Sequence, residues 1–325
     1  MMSFFDFCHL LSRSIPGRGP RDLFRQGRVL TYALLHPFAA RIWLNALTTN
    51  SLLADMAVRN RRFLERPFHR FAEANMPAHV RAGLLCAHFQ VVRELLGDDL
   101  VHSLYLKSND VTLALNGNYA LVISEPVRCW REGLLTVAWR DVVAQVDLAW
   151  ATVSFDKNAE SGKRSALIGG LQGPAGTDRE RVREATRACH GLRPKAAVME
   201  AVVALGRMAR IDTLTGVTRK AHVSAPTAVQ IHADYDGFWR EVGGIEAGDR
   251  FALPLRLTHR DISEVPSHRR AAFRRRQMLI ADLLAQITRT VEPGLTEDAM
   301  PSHPIHSDAG NDLADLCAPL STVSC

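Results

Sequence analysis

The sequence is poor in the signals that most directly name a function. Its six cysteines, Cys8, Cys86, Cys129, Cys189, Cys317 and Cys325, contain no CxxC pair and no short paired spacing. That excludes a dense disulfide framework and a zinc site built on paired thiols, and it reads as reduced thiols in a cytosol. No window approaches the roughly 20 uncharged apolar residues that a membrane span needs. The opening stretch MMSFFDFCHLLSRSIPGRGP has no basic segment before its apolar part and is interrupted by Asp6 and His9, so it does not read as a signal peptide. There is no internal repeat. There is also no RNP, zinc-finger or clear helix-turn-helix signature, which makes nucleic acid the weaker partner.

What remains is an ordinary globular composition. The 325 residues are 47% hydrophobic and 23% charged, enough for a sizeable core. A formal charge of +6 and a pI near 9.2 favour anionic partners, whether phosphates, nucleic acid or acidic lipid. Phe4, Phe5, Phe7, Leu10 and Leu11 followed by Arg13, Arg18 and Arg21 suit an anionic membrane surface. The plainer reading of that segment is a frayed arm or a helix packed on the domain. The expected location is cytoplasmic, with peripheral association at the inner membrane.

The pattern along the chain predicts a flexible arm over residues 1–20, a helical region over 21–98, a mixed α+β domain over 99–291 and a disordered tail over 292–325. RDLFRQGRVLTYALLHP and FAARIWLNALTTNSLLADMAVRN carry apolar residues at helical spacing, and a third helix runs from Pro77 to Gly97. HSLYLKSNDVTLAL, YALVISE, GLLTVAWR, VDLAWATVSFD and RSALIGGLQG then read as successive strands of an antiparallel meander. Thr177, Asp178 and Glu180 form a capping-box start for DRERVREATRAC, and Pro194 opens PKAAVMEAVVALGRMARI. DTLTGVT and RFALPLRL are further strands around the short helix DYDGFWREVGG, and Pro266 opens a long helix to about Val291.

Several segments, in their order, carry a resemblance. IGGLQG (168–173), CHGLRPK (189–195), TGV (215–217), DYDGFWREVGG (234–244), LP (253–254) and EVPSHRRAAFRRR (264–276) follow HPFAARIWLNAL and LADMAVRNRRFLERP. Together they resemble the VirK/YbjX family of bacterial proteins from about residue 30 to 290. VTRKAH (217–222) departs from the more polar Ser/Asn step expected there. The resemblance implies a link to virulence, to the surface properties of Gram-negative bacteria and to resistance against cationic antimicrobial peptides, with some members membrane-associated. It implies no reaction, and so no residue role.

The residues themselves offer three candidate sites. The first is an anion site. Pro194 fixes the first turn of a helix, and Arg193 and Lys195 put two positive charges where the macrodipole is already positive. A compensating anion fits there, and the glycines of the preceding strand could bring further N–H groups close. The expected set is Gly169, Gly170, Gln172, Gly173, Arg193 and Lys195. The alternative is a local ion pair with Glu180 or Glu184, the glycines serving only a turn. The order of elements also resembles the acyl-CoA N-acyltransferase layout, which implies a coenzyme A thioester as cofactor. The usual Gln/Arg-x-x-Gly-x-Gly/Ala spacing is absent, and an extra helix separates Gln172-Gly173 from Arg193.

The second candidate is His222 with IHADYDGFW. His222, His232, Asp234 and Asp236 have the chemistry of metal ligands or of a general base with its orienting acid. The alternative is a capped helix, with Asp234 or Asp236 as N-cap, and Tyr235, Phe238 and Trp239 as core. The third is the cluster Arg269, Arg270, Arg274, Arg275 and Arg276, a basic helix face suited to phosphates or, alternatively, paired with Glu241, Glu264 or Asp261. Two functions follow: an acyltransferase-like enzyme, or a non-enzymatic binder of anionic lipid, a partner protein or DNA.

Overall fold

The computed structural model describes residues 11–13, 15, 17, 19–127, 129–174, 179–225 and 234–292. At its centre eight strands pair in the order β1-β2-β3-β4-β5-β6-β8-β7. They are β1 Val111–Asn116, β2 Tyr119–Ser124, β3 Leu135–Asp141, β4 Val146–Lys157, β5 Arg164–Gln172, β6 Thr213–Val217, β7 Ile245–Ala247 and β8 Arg250–Leu253. The first five make the antiparallel meander expected from their short turns. β6 is parallel to β5, and β8 returns antiparallel to β6 with β7 outside it. A parallel neighbour needs a crossover. Helices α6 (Arg179–Ala188) and α7 (Pro194–Met208) lie in that connection.

Burial shows that both faces of the sheet are covered. β3 buries Leu135–Trp139 and β4 buries Ala151–Phe155 without a break, whereas a half-solvated strand would alternate. One face takes α5 (Ala78–Tyr105), packed on β4, with α2 (Pro37–Thr49) outside it; α1 (Pro20–Leu35), α3 (Ser51–Arg59) and α4 (Arg61–Glu65) continue this layer. The other face takes α7, across β2 to β5, and α9 (Arg270–Val291), against α7 and β1. The buried apolar residues form one continuous core from the first helices to Val291. The protein is thus α+β, a mostly antiparallel sheet flanked by helices.

Side chains close two exposed strand edges. β4 outlasts β3 beyond the Leu135–Val153 pair, and the Phe155 N–H donates to His88 Nδ1 at 3.1 Å. The ring proton is therefore on Nε2, which meets the Tyr105 hydroxyl at 3.1 Å; that hydroxyl donates to Leu134 O at 2.9 Å. Burial, aided by the charge of Arg66, holds His88 neutral, with its pKa down at about 3. At the open edge of β1, Gln286 of α9 accepts from Leu115 N at 2.9 Å and donates to Leu115 O at 3.1 Å, and Thr290 donates to Leu113 O at 3.1 Å. This edge is therefore no template for another strand.

The structure departs from the sequence reading in three places. The strand expected from His102 begins only at Val111. Gly97 breaks α5 at φ 76°, and the chain resumes as helix to Tyr105, burying Val101, Leu104 and Tyr105. That stretch is too short to reveal its helical period. The helix expected over 38–60 is split at Asn50, whose side chain accepts from Leu53 N at 3.4 Å and caps a new helix. β7 was not expected, and β8 ends at Leu253 because Pro254 cannot donate to a ladder.

Candidate functional site

The glycines of β5 are the place to begin. Thr152 pairs with Gly170 and Val153 with Ile168, so Gly169 is the extra residue of a β-bulge. Neither Gly169 nor Gly170 has a positive φ; they are needed for space. What fills the space is Glu132, on the loop between β2 and β3. A Cβ on Gly169 would collide with the Glu132 backbone carbonyl, its carbon 2.8 Å away. A Cβ on Gly170 would collide with the Glu132 carboxyl, its Cδ 2.8 Å away. Gly133 allows the same approach from the other side, where a Cβ would lie 2.9 Å from the backbone of Thr152 and Val153.

A short segment before α5 holds this loop down. Ala72 N donates to Arg131 O at 2.7 Å, and Ala74 N donates to Ala221 O at 2.9 Å. Arg250 of β8 donates to Glu73 Oε2 at 2.7 Å. Three regions far apart in sequence are tied to one clasp.

Glu132 is buried, with 9% of its side chain exposed. Its Oε1 accepts from Gln172 Nε2 at 2.7 Å and lies 3.5 Å from His222 Nε2. Its Oε2 has no hydrogen-bond partner among the described residues. His222 Nδ1 accepts from Ser224 N at 3.2 Å, which leaves Nε2 as the protonated nitrogen facing Glu132. The Tyr235 ring stacks on His222 at 5.2 Å, and its hydroxyl is 3.5 Å from Nε2. Burial first, then the charge of Glu132, pushes the Tyr235 phenol well above its ordinary range, so it keeps its proton. Gln172 Nε2 also lies 3.6 Å from Cys129 Sγ.

This cluster sits where the sheet opens. Pairing of β5 with β6 stops at Ile168–Gly216, although β5 runs on to Gln172 and β6 to Val217. α7 enters β6 from one face, while Tyr235, at the start of α8 (Tyr235–Glu241), approaches from the face that carries Glu132. Such a switch at the carboxyl ends of neighbouring parallel strands is where open sheets bind ligands.

The structure divides the predicted anion set. Gly169, Gly170 and Gln172 hold Glu132. Gly173 lies against Lys195, whose Cε is 3.9 Å from where a Gly173 Cβ would be. Lys195 also reaches over the Phe238 ring at 5.8 Å, at the mouth of the opening. No carboxylate of the described residues is in ion-pair range of Lys195, and burial pushes its ammonium below its usual value. Arg193 turns away and is paired with Glu241. Asp234 is the N-cap of α8, accepting from Gly237 N at 2.9 Å, and Asp236 accepts from Arg219 N at 2.8 Å. His232 lies outside the described residues, as do Thr177, Asp178, Phe4, Phe5, Phe7, Leu10 and the tail beyond Glu292, while Leu11 of the arm is buried. No group of three or more metal-ligating side chains forms among the described residues.

Arg269, in the turn before α9, and Arg270, Arg274 and Arg275 on it are exposed, and Arg276 is half-buried. Arg270 donates to Val265 O at 2.9 Å, and Arg276 lies over Phe273 at 5.1 Å. None of the five forms an ion pair with a described carboxylate.

The family described as "Protein of unknown function (DUF535)" matches residues 19–289. The chain belongs to the DUF535 family. Among curated proteins, the DUF535 chain is 29% identical over 279 residues to "Uncharacterized protein YbjX" of Escherichia coli (strain K12), covering 82% of this chain and 83% of the relative. It is also 32% identical over 120 residues to an "Uncharacterized protein" of Haemophilus influenzae (strain ATCC 51907 / DSM 11121 / KW20 / Rd), covering 36% of this chain and 40% of the relative. No solved structure matches. This bears out the VirK/YbjX resemblance. No helix among the described residues is long and apolar enough to cross a membrane.

Sequence reasoning missed Glu132 and Tyr235. Glu132-Gly133 reads locally as a turn, and Tyr235 as core. The only signal available was the paired glycine at 169–170, which required a close neighbour without naming it.

Proposed function

We propose that this DUF535 protein is an acyltransferase, with Glu132 as the base that takes a proton from the attacking group of the acceptor. The observation that carries the reading is the buried Glu132 carboxyl with one oxygen unpartnered, held beside a β-bulge at the switch point of the sheet. The meander, the parallel β5–β6 step and the returning β7–β8 hairpin support the reading by analogy with the acyl-CoA N-acyltransferase layout. Fold analogy alone would not establish a reaction; the side chains give it content.

Gln172 and His222 hold Oε1, while Oε2, packed against Gly170, is left as the oxygen to take the proton. Tyr235 keeps its phenolic proton at neutral pH and has one to give to a leaving group. The fit to coenzyme A rests on two features. The backbone edge of β5 beyond Ile168 has no strand beside it, which suits an amide-bearing arm laid along it. Lys195 stands without a described counter-ion at the mouth, beside Gly173, where a phosphate would be met. When bound, a coenzyme A thioester supplies the activated acyl group. The envelope role that the family resemblance implies belongs to this proposal.

The test is binding followed by turnover. Coenzyme A at 100 times its Kd should stabilise the full chain by about 2.7 kcal/mol, and Lys195→Gln should weaken that shift. Glu132→Gln should keep the coenzyme A shift and lose cleavage of an acyl thioester offered with an amine or alcohol panel. Absence of any melting shift at millimolar coenzyme A refutes the reading.

A further inference from the structure

On the other side of the Cys129–Glu132 turn the helical layer forms two adjoining clefts, of about 490 and 350 Å³. They share Arg25, Arg62 and Trp130. Across the two, seven arginines meet two glutamates. The sequence reading weighed the basic cluster of α9 and passed over this one, although Arg59, Arg62, Arg66 and Arg70 lie within residues 59–70; Arg25, Arg28 and Arg131 join them only in the fold.

Part of the cluster is internally balanced. Glu65 is buried and takes Arg25, Arg28 (2.6 Å) and His69 (3.0 Å). Burial pushes its carboxyl up, but the hydrogen bonds from His69 and Arg25 and the two arginine charges bring it down to about 2. Glu125 takes Arg59 at 3.1 Å. Arg62, Arg66, Arg70 and Arg131 then have no described carboxylate within ion-pair range.

Arg66 is the informative one. It is 4% exposed, surrounded by the rings of Phe63, Phe71 and Trp130 at 5.4–5.8 Å, and donates to Trp130 O at 2.9 Å. Its buried Nε has no partner among the described residues. Glu125 acts on it only from beyond ion-pair range, and a desolvated guanidinium without a contacting anion is costly. Arg62 lies over the same Trp130 ring at 5.9 Å and is exposed.

We infer that this arginine cleft binds a ligand bearing a phosphate group. The excess of positive charge calls for more than a single carboxylate, and guanidinium forks match phosphate oxygens in pairs. The clefts have the volume of small-ligand sites, and they are concave, not the continuous stripe that a nucleic-acid backbone needs. The inference does not depend on acyl transfer.

Trp130 provides the readout. Inorganic pyrophosphate titrated into the full chain should change tryptophan fluorescence saturably, and Trp130→Phe should abolish the change. Arg62→Gln combined with Arg70→Gln, both at exposed positions, should weaken binding by about tenfold or more while the melting temperature holds. Arg66→Lys keeps the charge and removes the fork, and should weaken binding too. A second arm uses phosphatidylcholine vesicles with and without phosphatidic acid. Binding of pyrophosphate that the double variant loses identifies a soluble phosphate compound. Binding only to phosphatidic acid vesicles, again lost in the double variant, identifies a lipid headgroup. Binding to neither probe, or binding unchanged in the double variant, overturns the inference.

Discussion

Gly169 and Gly170 are adjacent, chemically identical and both packed against Glu132, yet replacing them by alanine should have different consequences. In Gly170→Ala the new methyl meets the Glu132 carboxyl, the far end of a rotatable side chain. The carboxyl swings out, and the bond from Gln172 and the approach of His222 are lost. The stability cost is that of one charged hydrogen bond and mild overpacking, about 1–2 kcal/mol. In Gly169→Ala the methyl meets backbone: the Glu132 carbonyl, and Ala72 O at 3.1 Å. No rotamer relieves that, and the bulge or the clasp must shift, at about 3 kcal/mol or more. At the roughly 1.5 °C per kcal/mol that the unfolding entropy of a chain this size implies, the melting temperature should fall by roughly 1.5–3 °C for Gly170→Ala and about 4–5 °C or more for Gly169→Ala. Differential scanning fluorimetry measures both. Thioester cleavage, once a substrate pair is in hand, should be lost in Gly170→Ala although the protein is folded. Equal melting shifts in the two variants would refute the distinction between side-chain and backbone contact. Full activity in a folded Gly170→Ala protein would remove Glu132 from the chemistry.

Two further outcomes follow from the opposite face. Burial raises Glu200 of α7 from 4.5 to about 7, against a smaller opposing pull from Arg276, with His259 Nε2 at 3.3 Å. A carboxyl whose folded pKa is raised contributes stability that is complete below 4.5 and lost as pH rises through 7. Glu200→Gln should therefore melt higher than the parent at pH 8, by up to about 3 kcal/mol, with the gap closing near pH 5; a pH-independent difference would contradict this. Arg270, Arg274 and Arg275 have no carboxylate partners among the described residues, so replacing all three by glutamine should shift stability by less than about 1 kcal/mol. If α9 meets an anionic surface, sedimentation with anionic vesicles should drop in the same variant, and unchanged sedimentation would show that these arginines are not the contact.

The sheet was legible because its strands are short, apolar and separated by turn residues, and their antiparallel pairing follows from the turns. The helices were legible where proline and glycine punctuate them. Gly97 shows the limit: it marked the end of one helix, while the turns after it looked like a strand until Val101, Leu104 and Tyr105 were seen buried. The site was legible only in half. Gly169 and Gly170 announce that something presses on β5, and His222 stands at a strand end. Glu132 is some forty residues upstream, joined to them by no periodicity. The arginine cleft was half visible: Arg59, Arg62, Arg66 and Arg70 are close in sequence, but Arg25, Arg28 and Arg131 join them only after α1 and the β2–β3 loop have packed.

The clasp at Phe71–Ala74 gives the chain a built-in order of events during synthesis. The meander and the helices before it can form as they emerge, but Glu73 cannot meet Arg250 until a segment 177 residues further on has been made. Ala74 likewise waits for Ala221. Until then the Ala72–Arg131 bond alone clamps the Arg131–Glu132 turn from that side. A nascent or truncated chain therefore holds its acidic group loosely, and the assembled cluster is a property of the completed polypeptide alone.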